Sequence, residues 1–136
     1  MRPLQISAIG AILLALSVII GAFGAHSLKD ILESNERVQT YETAVQYMFI
    51  HALGVLVSGI LMEILPLNRK SIRRLGFASI LFILGILLFS GSLFIISVSG
   101  ITLWGAIAPF GGLSFIGGWV ITSIVLLGHQ KNNIGL

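Results

Sequence analysis

The chain of 136 residues contains no cysteine. Disulfides, thiolate chemistry and Cys-based metal or iron–sulfur sites are therefore excluded. Charge is scarce too. Asp, Glu, Lys and Arg together make up 10% of the residues, against about 25% in a soluble domain. So little polar surface cannot cover a core that is 56% hydrophobic, which excludes a soluble globular enzyme. Disorder is excluded as well, because it requires low hydrophobicity. Several motifs are also missing: G-x-S-x-G, a phosphate-binding glycine loop, H-x-x-x-H, H-E-x-x-H and paired carboxylates for acid–base work. Neither an internal repeat nor a low-complexity segment is present.

What is there is apolar, in four long runs. They extend over Leu4–Phe23, Thr43–Leu65, Leu75–Val98 and Leu103–Leu127, the last forming a helix from Pro109 to Gly128. About 20 residues of helix span the 30 Å hydrocarbon core, and backbone in lipid must bond to itself. The expectation is an all-α, integral membrane four-helix bundle forming one domain. The mean hydropathy of +1.03 agrees. Arg2 followed by an apolar run and Gly21–Ala25 resembles a signal peptide. Its apolar core exceeds the usual roughly 7–15 residues, so it is read as a retained helix.

The net charge of +3 rests on eight basic residues, and Arg69, Lys70, Arg73 and Arg74 cluster between two apolar runs. A basic cytoplasmic loop over 66–74 fits this pattern; nucleic acid does not. Anionic headgroups, hence membrane lipid, are the expected partner. With that loop inside, both termini are cytoplasmic, and Arg2 and Lys131 join it. Lys29 and Arg37 then lie outside, among Asp30, Glu33, Glu36 and Glu42. A multi-pass protein of the cell (inner) membrane follows. Glu63, at the inner boundary, is expected to pair with Arg69 or Lys70.

The outer loop, 24–42, is more than a tether. Ser27 is placed to start a short interfacial helix, and Val38, Tyr41 and Val45 predict an early start to the second long helix. Pro109 suits the first turn of the last helix, with Trp104 before it as an interface anchor. A single kinked helix from Leu103 is the alternative.

Polar residues inside a membrane are the candidates for function. On the second helix Thr43, Tyr47 and His51 recur every four residues, and Gln46 lies on the neighbouring face. A rise of about 1.5 Å per residue puts His51 roughly 11 Å below the outer boundary, with Ser90 at similar depth and Ser17 and Ser114 about 8–10 Å deep. These residues suggest an outward-facing polar pocket formed by His51, Tyr47, Ser90, Ser114, Ser17 and Gln46, with an aliphatic floor. His26 and Glu42 would stand at its mouth. The bland reading of His51 is a hydrogen bond between helices. Neither a catalytic set nor a cofactor or metal site emerges. Trp119 fills a helix crossing or lines the pocket. Two small-residue stripes, Ser17–Gly21–Ala25 and Gly111–Ser114–Gly118–Thr122, favour close packing, within the bundle or in a homo-oligomer or larger membrane complex.

Four segments in order carry a resemblance. They are Gly21–His26 with Leu28 and Lys29; Tyr41–Tyr47 with His51–Leu53; Leu88–Leu93; and Pro109–Gly112 leading to Gly117–Trp119. Together they resemble the small bacterial membrane family known as domain of unknown function 423, an uncharacterised protein family with animal relatives of the transmembrane protein 256 type. The resemblance covers nearly the whole chain and implies four transmembrane helices. It implies no particular activity. Met48 stands where the family pattern has a further Gln after Gln46-Tyr47. The residues leave three functions open: a binding or accessory protein for a lipid or small amphiphile, a transporter or channel for a small solute or protons, and a membrane-embedded enzyme using His51 as base.

Overall fold

The computed structural model describes residues 2–134, and side chains as far as Gln130. Pro3 opens α1 (Pro3–Ala25), where its missing N–H is harmless, and the Gln5 side chain accepts the Arg2 N–H at 2.9 Å. A short α2 (Lys29–Ser34) follows, and then α3 (Val38–Ile64). The next long helix is α4 (Arg69–Gly85), which continues through a π-helical turn (Ile86–Ser90) into α5 (Gly91–Ser99). A 3₁₀ turn (Thr102–Ala106) leads to α6 (Ala108–Ile134). Among the described residues, four helical segments have membrane-crossing length and composition, and they are 23, 27, 31 and 29 residues long. The chain is thus an all-helical, multi-pass membrane protein.

Several boundaries differ from those read in the sequence. The short helix is preceded by Leu28, not Ser27, with no side-chain cap. The second long helix starts at Val38, the early start expected from Val38, Tyr41 and Val45, whereas the helix expected at 75 starts at Arg69. The basic cluster is therefore not a loop. Asn68 caps α4 by accepting the Ser71 N–H at 2.9 Å, so the helix begins before the apolar run does. Glu63 is exposed near the end of α3 and makes no ion pair with Arg69 or Lys70 among the described residues. Lys131, assigned to the cytoplasmic side by sequence, has its side chain outside the described residues.

At the opposite end, two turns are fastened together. Gly100 ends α5 with φ +74°, the left-handed conformation that favours glycine, and its N–H reaches Ile96 O at 2.9 Å. Beside it, the Asn35 amide donates to Ser97 O at 3.0 Å and Val98 O at 3.1 Å. The α2–α3 turn is thereby tied to the end of α5.

The helices form an open series. α3 packs on α1 on one side and on α4 and α5 on the other, and α6 packs on α4. α1 and α6 share no comparable interface. The core runs along α3 and α4, through Val55, Leu75, Ala78 and Phe82, with Phe115 and Val125 from α6.

Candidate functional site

His51 projects from α3 toward α6 and is 5% exposed. Its Nδ1 lies 2.7 Å from the carbonyl of Tyr47, one turn earlier. A carbonyl only accepts, so Nδ1 carries the proton there and Nε2 keeps a lone pair in the neutral ring. The imidazole lies flat on Phe115, with centroids 3.4 Å apart and planes 11° apart. Tyr47, Phe82 and Trp119 surround it at 5.8, 5.9 and 6.1 Å. Phe89 closes the group against Tyr47 at 4.6 Å. Trp119 stands 4.8 Å from Phe82 and is 40% exposed, so it covers the cluster from outside.

Ser90 occupies the π-helical turn and is completely buried. Its Oγ has no hydrogen-bond partner among the described residues, so it bonds neither His51 nor Tyr47. Ser58, Ser79, Ser97, Ser114 and Thr122 each donate to the carbonyl four residues earlier. At Ser90 the corresponding carbonyl, Ile86, receives the N–H of Gly91. Ser114 is half-buried and does not reach His51.

A second feature lies on another face of α3. A groove of about 700 Å³ runs between α1, α2 and α3 at the α2 end. Val18 and Gly21 of α1 and Val45, Phe49 and Ile50 of α3 supply apolar walls. Ser17 lines it too, but its hydroxyl is already bonded to Leu14 O at 2.7 Å. Lys29, Glu33, Glu42 and Gln46 contribute the polar lining. Lys29 and Glu33 lie 3.8 Å apart as an exposed pair one helical turn apart. Tyr41 pins the groove. It donates to Ile20 O at 2.7 Å, and its ring occupies the space beside Gly24, where a Cβ would collide with it.

The eight residues expected to form one pocket are thus divided. Tyr47 and His51 belong to the aromatic cluster, and Ser17, Gln46 and Glu42 to the groove. Ser90 and Ser114 stand apart from both hydrogen-bond systems. His26 is exposed at the end of α1, where its own N–H caps Ala22 and Phe23 carbonyls. Among the described residues no group of three His, Asp or Glu side chains is placed to hold a metal ion. Sequence reading left Lys29, Glu33 and Tyr41 out of the site. The spacing of Val38, Tyr41 and Val45 was the signal, since it marks the face of α3 that meets α1.

A small polytopic bundle with an amphipathic groove and a separate aromatic cluster is the class the geometry defines. The pattern described as "Protein of unknown function (DUF423)" matches residues 20–112. The chain belongs to this family. It is 42% identical over 113 residues to UPF0382 membrane protein YwdK of Bacillus subtilis, covering 83% of this chain and 88% of that one. A UPF0382 membrane protein of Staphylococcus haemolyticus is 39% identical over 116 residues, covering 85% and 89%. The UPF0382 inner membrane protein YgdD of Escherichia coli K12 is 34% identical over 117 residues, covering 86% and 85%. No solved structure matches the chain.

Proposed function

We propose that the protein binds one amphiphile in the groove between α1, α2 and α3, as a binding or accessory component of the membrane. The observation that carries this reading is the division of the groove lining. Its walls are valine, isoleucine and phenylalanine, and its charged residues come from α2 and the first turns of α3. An alkyl chain along Val45, Phe49 and Ile50 would place its headgroup beside Lys29, Glu33 and Glu42. Both charge signs occur there, which suits a zwitterionic headgroup: its phosphate meets Lys29 and its ammonium meets a carboxylate.

The positive-inside rule puts the α2 end, and hence the groove, at the outer leaflet, with both termini in the cytoplasm. The name of the Escherichia coli relative supports the inner membrane. Conduction is less well supported. The hydroxyls of Ser58, Ser79 and Thr122 are returned to their own helices, leaving no chain of polar groups among them. An enzyme is less well supported too, since the His51 Nδ1 bond goes to a backbone carbonyl and not to a nucleophile.

Native mass spectrometry of protein released gently from its own membrane tests the reading. Gln46 is exposed, so Gln46→Trp fills the groove without entering the core. The wild type is expected to carry a retained lipid that Gln46→Trp loses and His51→Leu keeps. Loss in His51→Leu with retention in Gln46→Trp would move the site to the aromatic cluster. A bare wild-type protein would remove the groove as a binding site.

A further inference from the structure

The end of the bundle opposite α2 carries a larger groove, of about 1170 Å³. It lies where the helix series fails to close, and α1, α3, α4 and α6 all contribute to its lining through residues such as Ile6, Met62, Ile80 and Ile124. Arg69, Lys70, Arg73 and Arg74 also line it. All four are exposed, and none takes part in an ion pair among the described residues. The acidic residue of this end, Glu63, is not part of the lining.

Helix stability does not account for these cations. They occupy the first two turns of α4, where the dipole favours negative charge, and the first turn contains no acidic residue. An anion held there would be attracted by the four side chains and by the helix end together. A free anion would leave the apolar part of the groove empty. An anionic phospholipid would fill both.

We propose that this groove seats an anionic phospholipid of the adjoining leaflet, its phosphate on the Arg69–Arg74 cluster and an acyl chain against Phe77, Ile80 and Ile124. The site is independent of the groove at the α2 end. It differs from general attraction of a basic segment to a charged membrane, because it has a shape. Gly76 makes that difference testable. It lines the groove, and a Cβ built there meets nothing within 4 Å. Gly76→Leu therefore projects a side chain into the groove from an unobstructed Cβ and leaves every charge in place.

The test uses the full chain in nanodiscs of phosphatidylglycerol and phosphatidylcholine in equal amounts, with the lipid that co-purifies after transfer to neutral detergent counted by mass spectrometry. Phosphatidylglycerol is expected to be retained over phosphatidylcholine. The preference should fall about fivefold for each cation removed in Arg73→Gln and Arg73→Gln/Arg74→Gln. It should also be lost in Gly76→Leu, whereas Gln46→Trp should leave it intact. Three results would overturn the proposal: equal retention of both lipids, a preference undiminished in Gly76→Leu, or displacement of the lipid by millimolar inorganic phosphate.

Discussion

Two sets of glycines, Gly10 and Gly59 against Gly54, Gly85 and Gly118, bring the helices together in opposite ways, although Gly24 on the α1 side also faces a ring, that of Tyr41, and Gly111 on the α6 side also faces backbone, that of Phe89. On the α1 side, Gly10 faces the backbone of Leu56, and Gly59 faces Ser7 and the Pro3 carbonyl. Here the missing side chain brings backbone against backbone, and Ser7 Oγ reaches Leu56 O at 3.3 Å. On the α6 side, Gly54 and Gly118 face the Phe82 ring and Gly85 faces the Phe115 ring. There the missing side chain makes room for an aromatic one. The first seam has no slack, because neither backbone can turn aside. The second contains rings, which can tilt. In lipid, apolar transfer drives helices together little, so such contacts carry most of the association.

The largest effect should therefore come from the α1 seam. Gly10→Leu forces a side chain into the Leu56 backbone and is expected to cost about 3 kcal/mol or more, at or beyond the upper end of ordinary overpacking. Reversible unfolding of the purified protein by sodium dodecyl sulfate would read it as a shift of the midpoint. A shift under about 1 kcal/mol would mean that α1 docks loosely, and would undo the contrast between the two seams. Phe82→Ala probes the ring side. Phe82 is fully buried and touches His51 and Trp119. A residual cavity of roughly 100 Å³ costs about 2 kcal/mol at the usual rate per unit volume. The same titration should show that smaller loss, because neighbouring rings can relax into part of the space.

How far these regions can be read from sequence follows from what sequence patterns encode. Run length and hydropathy report the membrane, so the four spans were legible. They do not report where a helix starts outside it. The helical spacing of Val38, Tyr41 and Val45 did report the early start of α3, but Arg69–Arg74 is helical without being apolar, and Asn68, which caps α4, was not singled out. Depth is one coordinate of a side chain and azimuth is another. Counting residues placed Ser17, His51, Ser90 and Ser114 in one layer, but convergence also needs α1 and α6 to adjoin. They do not, so Ser17 faces the groove while His51 faces Phe115. The resemblance carried by Tyr41–Tyr47 and Leu88–Leu93 pointed to the family correctly and could not divide these residues between two features. The π-helical turn was invisible for a different reason. Ile86–Ser90 contains neither proline nor glycine. Its extra residue sits where tertiary contacts crowd it, with Phe89 against Gly111 on one side of the turn and Gly85 against Phe115 before it.

That turn supports the smallest prediction and the one with the opposite sign. A helical serine ordinarily returns its hydroxyl to the preceding turn, as Ser79 does to Leu75 O at 3.0 Å. Ser90 does not, and its Oγ is buried without a partner among the described residues. Burying an unpaired hydroxyl is unfavourable, whereas removing one leaves nothing orphaned. Ser90→Ala is accordingly expected to stabilise the bundle by up to about 1 kcal/mol. Ser79→Ala should instead be neutral or cost a few tenths of a kcal/mol, because it removes a satisfied bond. Paired detergent titrations of the two variants would decide this. A loss of stability in Ser90→Ala would show that the hydroxyl has a partner in the membrane. The π-helical turn beside the His51 cluster would then be a place where something binds.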